Sequence, residues 1–235
     1  MSAPAVALAF FDPAHDLHGT ARAGATLLFE GTTSTAVAEG PELATAGDGY
    51  RATLADRFEL EFAPAAEPVD LGGVRVRVCR VTGKVGKVRI DCLGTAGETL
   101  VPPAWDELDA VRSVSAVFDA EHAVLALARR PRGALGHGEE LVTAALLQDG
   151  ELLAVEDARI STMYDGEGRQ RAAGLELWLP GEDFPRRTSG AILAGSSLEL
   201  DGLRVNAAVF RWRMEDREGT GAYELMVREE PPAAA

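Results

Sequence analysis

Hydrophobic and polar residues alternate along most of this chain with a period of two. Arg57-Phe58-Glu59-Leu60-Glu61-Phe62 alternates without interruption, and so does Lys87-Val88-Arg89-Ile90-Asp91-Cys92. Val74, Val76 and Val78 alternate with Arg75 and Arg77, and Leu175, Leu177 and Leu179 with Glu176 and Trp178. Successive side chains of a strand point to opposite faces, so the pattern predicts half-buried β-strands. Asp48-Gly49, Gly72-Gly73, Asp149-Gly150, Asp165-Gly166 and Asp201-Gly202 separate these runs as turn signals. Leu146 to Leu153 reads as a hairpin with Asp149-Gly150 at a primed turn. Only Pro103 to Ala110 offers a short helix. The chain is therefore read as all-β, with roughly twelve to sixteen strands. The tail, Pro231 to Ala235, is read as frayed.

The pattern also repeats. Ala9-x-Phe11-Asp12-x-x-His15 matches Ala116-x-Phe118-Asp119-x-x-His122, with Ala21-Arg22 and Ala128-Arg129 at the same spacing. Ala25-x-Leu27-Leu28-x-Glu30-Gly31 matches Ala144-x-Leu146-Leu147-x-Asp149-Gly150, and Leu71-x-Gly73-Val74-Arg75-Val76 matches Leu200-x-Gly202-Leu203-Arg204-Val205. Matches in the same order predict two similar β-units in tandem. Pro102-Pro103 interrupts strand pairing, which sets the expected domains at 1–101 and 102–235. Short sequential connections favour up-and-down sheets that close into antiparallel barrels and so hide their edges. A barrel of ~8 strands can hold one small ligand.

Composition narrows the class. Of the 235 residues, 46% are hydrophobic and 26% charged, which suits a globular protein and excludes a disordered, collagen-like or coiled-coil chain. No apolar run approaches the ~18 residues of a membrane span. Met1 to Phe11 contains no basic residue, so no secretory signal is expected and the compartment is read as cytoplasmic. A net charge of −14 disfavours nucleic acid and anionic membranes as partners and leaves a small hydrophobic molecule, or a second copy of the chain. Lys84 and Lys87 are the only lysines beside many arginines, alanines and glycines, a composition typical of a high-GC bacterial genome. Cys79 shares strand parity with Arg75 and Arg77, and Cys92 with Val88 and Ile90. The two are therefore expected on opposite faces, as free thiols.

Tyr164-Asp165-Gly166-Glu167-Gly168-Arg169, Gly174 to Trp178, Arg187 to Gly195, Phe210-Arg211-Trp212-Arg213 and Glu218 to Glu224 together resemble a known pattern. It is that of the C-terminal lipocalin-like barrel in the group of hydroxyneurosporene synthase (carotenoid 1,2-hydratase), AttH-like and tocopherol-cyclase-like proteins. The resemblance covers the last third of the chain directly and the first half through the internal repeat. It implies two tandem calycin-type barrels and hydration or cyclisation of apolar isoprenoids or polyketides without a redox cofactor.

Several residues are candidates for such chemistry. Asp12, His15, Asp16 and His18 cluster within one short segment, and His with carboxylates suits zinc or iron. Asp12-Pro13 is also a turn signal, and Asp119 with His122 repeats it, which favours a structural turn. His15 stays a catalytic candidate and no metal is assigned. Glu176 points into the barrel if the neighbouring leucines face an outer packing layer. A carboxyl there would have a raised pKa suited to protonating an alkene. If the leucines fill the core instead, Glu176 is solvated. Glu224 carries the same ambiguity. Leu203 to Met214 changes character midway, as a bulge or a strand leaving a barrel mouth would. Phe210 and Trp212 then line an apolar cavity with Arg211 or Arg213 at its rim, or pack between the barrels. Trp178 and Tyr164 complete the expected ligand-binding set. Ser113 and Ser115 are isolated hydroxyls without a hydrolase signature. The expected function is a cofactor-independent lyase or isomerase acting on an apolar small molecule. The alternatives are a non-catalytic carrier of a hydrophobic metabolite and a protein with filled barrels and no ligand.

Overall fold

The computed structural model describes residues 5–228, so the first residues of the chain and the tail from Pro231 lie outside the described part. Two antiparallel sheets account for nearly all of it. The first holds β1 (Ala5–Asp12), β2 (Leu17–Arg22), β3 (Ala25–Glu30), β4 (Thr33–Val37), β5 (Glu42–Ala46), β6 (Gly49–Leu54), β7 (Phe58–Pro64), β8 (Val69–Asp70), β9 (Val74–Val85) and β10 (Val88–Thr99). The second holds β11 (Leu108–Val117), β12 (Ala123–Pro131), β13 (Leu141–Gln148), β14 (Glu151–Ala154), β15 (Asp157–Tyr164), β16 (Gln170–Trp178), β17 (Arg186–Leu200), β18 (Leu203–Met214) and β19 (Arg217–Arg228). Each sheet curls into a half-barrel. In both, the first strand pairs with the last, β1 with β10 and β11 with β19, and the opening lies between the fourth and fifth strands. The fold is that of two tandem lipocalin-like barrels.

The repeat occupies equivalent places. Asp12 and Asp119 end β1 and open the turn after β11, and each carboxylate binds the histidine three residues on, His15 at 2.7 Å and His122 at 2.8 Å. Gly31 and Gly150 close the next hairpins at φ 58° and 79°, a region glycine enters without a Cβ clash.

Two expectations need correction. The described residues hold 19 strands, more than the roughly twelve to sixteen expected. The extra ones include β4 and β5, whose residues are nearly all exposed and leave no hydrophobic alternation to read, whereas β14 is the second arm of the hairpin expected at Leu146 to Leu153. Pro103 to Ala110 forms no helix. The Glu107 N–H donates to the Ala104 carbonyl at 2.9 Å in a turn, and β11 starts at Leu108. The only helical piece among the described residues is a 3-10 turn, His137–Glu139.

Burial sorts the side chains into three layers. Leu8, Phe10, Leu60, Phe62, Cys79 and Val81 fill the first barrel. Val114, Leu175, Leu177, Phe210, Trp212 and Tyr223 fill the second. Between them runs a seam to which both halves contribute: Phe11, Leu27 and Phe29 pack with Val117, Ala207 and Val209, and Leu71 with Val111, Leu125 and Leu127. The strands along the seam are apolar on both faces, because one face lines a barrel and the other meets the opposite barrel.

This layering places the cysteines differently from the sequence reading. Cys79 and Cys92 both face the first barrel. The parity argument took Arg77 as the mark of an outer face. Arg77 in fact points inward at one end of the barrel, where it donates to the Asp48 carbonyl at 2.7 Å and approaches Glu98 at 3.4 Å. Cys92 lies opposite Val81 and Cys79 opposite Gly94, so the two free thiols are diagonal neighbours on one face. Diagonal positions sit farther apart than a disulfide spans.

Candidate functional site

The seam holds a partly open cavity of about 110 Å³. Its walls are apolar where Leu71, Val74 and Val76 of the first half face Leu125 and Leu127 of the second. Trp105, in the linker between β10 and β11, packs on the same cluster. Polar groups meet at one side: Thr20, Ser113, Ser115, Arg22 and Glu224. They converge because β2, β11 and β19 turn one face to the seam, so Ser113 and Ser115 lie on the side of β11 opposite Val114. Glu224 is buried, and its carboxylate is ion-paired with the Arg22 guanidinium from the other half. A second Arg22 N–H points to the Met226 sulfur at 3.3 Å. The repeat partner Arg129 reaches the other way, donating to the Gly72 carbonyl of the first half at 2.5 Å. The two matched arginines thus cross the seam in opposite directions. The Ser115 hydroxyl accepts the Ala222 N–H at 3.1 Å. An ion-paired carboxylate beside hydroxyls in an apolar cavity can take a proton from water, while the guanidinium can hold a developing oxyanion.

A second polar cluster lies inside the second barrel. Arg112, 1% exposed, donates to Thr162 and Tyr223 at 3.0 Å each and to the Ile160 carbonyl at 3.2 Å, and it is ion-paired with Glu140. Tyr223 and Thr162 hydroxyls are 2.6 Å apart. Burial pushes the Tyr223 phenol up to about 12, against the opposing pull of Arg112. Burial alone would raise Glu140, yet Arg112, His137 and Arg130 hold its carboxyl below the usual range.

The residues proposed from sequence fall in separate places. Glu176 and Trp178 lie on the outside of the second barrel, because Leu175, Leu177 and Leu179 fill its core. Glu176 accepts from Arg187 at 3.0 Å, and the Arg159 guanidinium sits 4.9 Å above the Trp178 ring. The interior acid expected at Glu176 therefore has no geometric basis. Phe210 and Trp212 stack at 5.3 Å within the barrel core and not between the barrels. Arg211 and Arg213 leave the same strand on its other face. Arg213 pairs with Glu218 in solvent, and Arg211 borders an open cleft of about 450 Å³ at one end of the seam, beside Phe11, Cys92 and Val117. No bulge in β18 itself is needed for its change of character: its odd face passes from the seam at Val209 to solvent at Arg211. The bulge is on the neighbouring strand, at Leu193 of β17. Tyr164 lines the end of the second barrel, 5.9 Å from the His137 ring. His15 is half-exposed in its turn, whereas His18 on β2 is buried in the seam. Among the described residues no three His, Cys, Asp or Glu side chains are placed to hold a metal. No helix among them is long and apolar enough to cross a membrane. Of the proposed set, only Glu224 lines the seam cavity.

Arg22, Trp105, Arg112 and Glu140 were not found from sequence. Arg112 had a signal: it shares parity with Ala110, Val114 and Ala116, a lone charge on an apolar face. Glu140 had none, since it sits in a loop.

Two lipocalin-like half-barrels packed face to face around a buried seam define the class of this protein. The same architecture recurs in solved structures of low sequence identity. CghA with Sch210972 matches with TM-score 0.62 and 12% identity, over 96% of this chain and 89% of that one. Kievitone hydratase from Nectria haematococca matches with TM-score 0.60 and 10% identity, over 96% and 89%. A protein described as AttH, from Nitrosomonas europaea, matches with TM-score 0.57 and 14% identity, over 95% and 92%. The group resembled in sequence is thus met again in the fold. No family model and no curated protein matches the sequence.

Proposed function

We propose that this chain is a hydratase- or cyclase-type enzyme for an apolar small molecule, acting in the seam cavity. The observation that carries this reading is Glu224, a buried carboxylate lining a largely apolar pocket and paired with Arg22 from the opposite barrel. The name of one fold neighbour, kievitone hydratase, agrees with the class. A carboxylate paired with a guanidinium suits an alkene conjugated to a carbonyl. Glu224 takes a proton from water, or from a substrate hydroxyl, as its oxygen bonds to the β-carbon. The electron pair of the double bond moves to the carbonyl oxygen, which Arg22 and a serine hydroxyl hold. The proton on Glu224 then passes to the α-carbon, restoring the carbonyl and the carboxylate. Neither an oxidant nor a reductant enters this balance. Ordinary small-molecule sites measure about 300–1,000 Å³, so the substrate must displace part of the wall. Leu71, in the turn between β8 and β9, is the lining residue outside the strands, and it shares its cluster with Trp105 of the linker 100–107, which carries exposed Leu100 and Val101.

The test is incubation with carbonyl-conjugated alkenes in ¹⁸O-water, read by mass spectrometry. One ¹⁸O should enter a hydrated product and none a cyclised one, and Glu224→Gln should lower turnover by about 10²-fold or more. Binding, followed by Trp105 fluorescence, should survive in that variant. Binding with neither label uptake nor a cyclised product in the wild type would favour the carrier reading.

A further inference from the structure

The second barrel is closed at one end by a loop, 132–140, that belongs to neither sheet. The loop carries Gly133, Gly136 and Gly138, and a Cβ at any of the three would meet nothing within 4 Å. It is not held by apolar packing: Leu135 is 96% exposed. Its main tether is the Glu140 carboxylate, which reaches into the barrel to Arg112 and also takes hydrogen bonds from Arg130 at 2.8 and 3.0 Å. His137, 2.9 Å from the same carboxylate, stacks on Tyr164. Inside, one terminal nitrogen of Arg112 serves Glu140, while the other donates to the Thr162 and Tyr223 hydroxyls, which hold the guanidinium in place. Arg112 is the only charge on the inner face of β11, between Ala110 and Val114. Two further buried donors in this barrel, Arg112 Nε and Trp212 Nε1, have no acceptor among protein atoms. The interior therefore offers more donors than the protein satisfies, and a buried donor without a partner is unfavourable.

We propose that the second barrel holds a ligand site for a monocarboxylate with an apolar body, and that Glu140 occupies it as a built-in substitute. Arg112 gives Glu140 a single terminal nitrogen and leaves Nε without an acceptor, so a ligand carboxylate that takes the place of Glu140 has a further guanidinium N–H to accept from. The ligand's apolar body then lies against Val142 and Tyr164 at the barrel end, and the glycine-bearing loop swings outward. This site is separate from the seam cavity. Arg112 and Tyr223 face the barrel, whereas their chain neighbours Ser113 and Glu224 face the seam, so one pair of strands divides the two.

Octanoate is the probe, with octan-1-ol as the uncharged control, and backbone hydrogen exchange of the whole protein is the readout. Saturable octanoate binding to the wild type should raise exchange in 132–140, and octan-1-ol should leave it unchanged. Glu140→Gln removes the competing charge and should tighten octanoate at least tenfold. The double variant Arg112→Met with Glu140→Leu, which leaves no unpaired buried charge, should remain folded and lose octanoate binding. The proposal is overturned by no saturable octanoate binding to wild type and Glu140→Gln. Equal affinity in those two proteins, equal effects of acid and alcohol, or retained binding in the double variant would overturn it as well. None of these variants touches Glu224 or Arg22, so failure here leaves the seam reading standing.

Discussion

Replacing His18 by leucine should make the protein more stable and less sensitive to acid. His18 lies on β2 facing the seam, opposite Phe11 and Phe29, and is 1% exposed. Neither ring nitrogen has a hydrogen-bond partner, and the nearest carboxylate oxygen, on Asp16, is 3.8 Å from Nε2. Each unsatisfied buried polar group costs roughly 1–3 kcal/mol, so an imidazole with two open nitrogens is a poor filler for this position. The repeat supplies the alternative, because its equivalent residue is Leu125, buried on the same seam. Allowing for imperfect refilling, His18→Leu should gain about 1–2 kcal/mol at pH 7, or about 2–8 °C in Tm for a chain of this length. The pH dependence has a definite sign. Burial lowers the His18 pKa despite the opposing pull of Asp16 and Asp12. Below about 6.5 the unfolded chain binds a proton that the folded one refuses, so stability falls with pH until the folded pKa is reached. The slope has an upper bound of about 1.4 kcal/mol per pH unit. His15, His122 and His137 are common to both proteins and cancel in the comparison. Urea denaturation at pH 7.0, 6.0 and 5.5 measures it, and the gap between variant and wild type should widen as pH falls. A gap that narrows would mean that Asp16 and Asp12 win and His18 is held as the cation. A variant less stable at pH 7 would mean that the imidazole is satisfied in solution.

Gly190 tests the packing of the second barrel. An ideal Cβ there would lie 2.5 Å from the Trp212 ring, so Gly190→Ala should cost about 1–3 kcal/mol by overpacking. The cost should largely vanish in a Trp212→Leu background, and additive effects in the double-mutant cycle would refute the contact. The thiols test the interior of the first barrel. Burial pushes both Cys79 and Cys92 up to about 12, so at pH 8 about one thiol in 10⁴ is ionised. A disulfide reagent should therefore label neither quickly in the native protein and both after unfolding. Fast native labelling of one thiol would place Cys92 in the open cleft that it borders.

How far the sequence could be read depended on what each strand face meets. Strands with one buried and one wet face were legible, as in Phe58-Glu59-Leu60-Glu61-Phe62. Along the seam that contrast disappears, because Val205, Ala207 and Val209 are as apolar as Ala208, Phe210 and Trp212 on the other side of the same strand. Periodicity there shows a strand but not which face looks into the barrel. On β9 the contrast misleads instead, because Val74, Val76 and Val78 face the seam while Arg77 shares the barrel face of Cys79. Glu176 and Trp178 shared a face in sequence and still do, but that face is the solvent side. What remained readable was the exception to a face's character. Arg112 breaks an apolar row, and His18 sits where the other copy has leucine.

The repeat sharpens this point, because it separates what both halves need from what only one has. Arg22 and Arg129 occupy matched positions and each crosses the seam, so the crossing belongs to the assembly of two half-barrels, but Arg22 meets a carboxylate, Glu224, where Arg129 meets the Gly72 carbonyl. The turns Asp12–His15 and Asp119–His122 are matched in the same way and are structural. By the same spacing, Arg112 corresponds to Ala5, and the inward arginine of the first barrel, Arg77, stands on a different strand at the barrel end. A fully buried charge at the Arg112 position is therefore not required by the fold. The unmatched polar residues on buried faces are therefore where chemistry specific to this chain is concentrated.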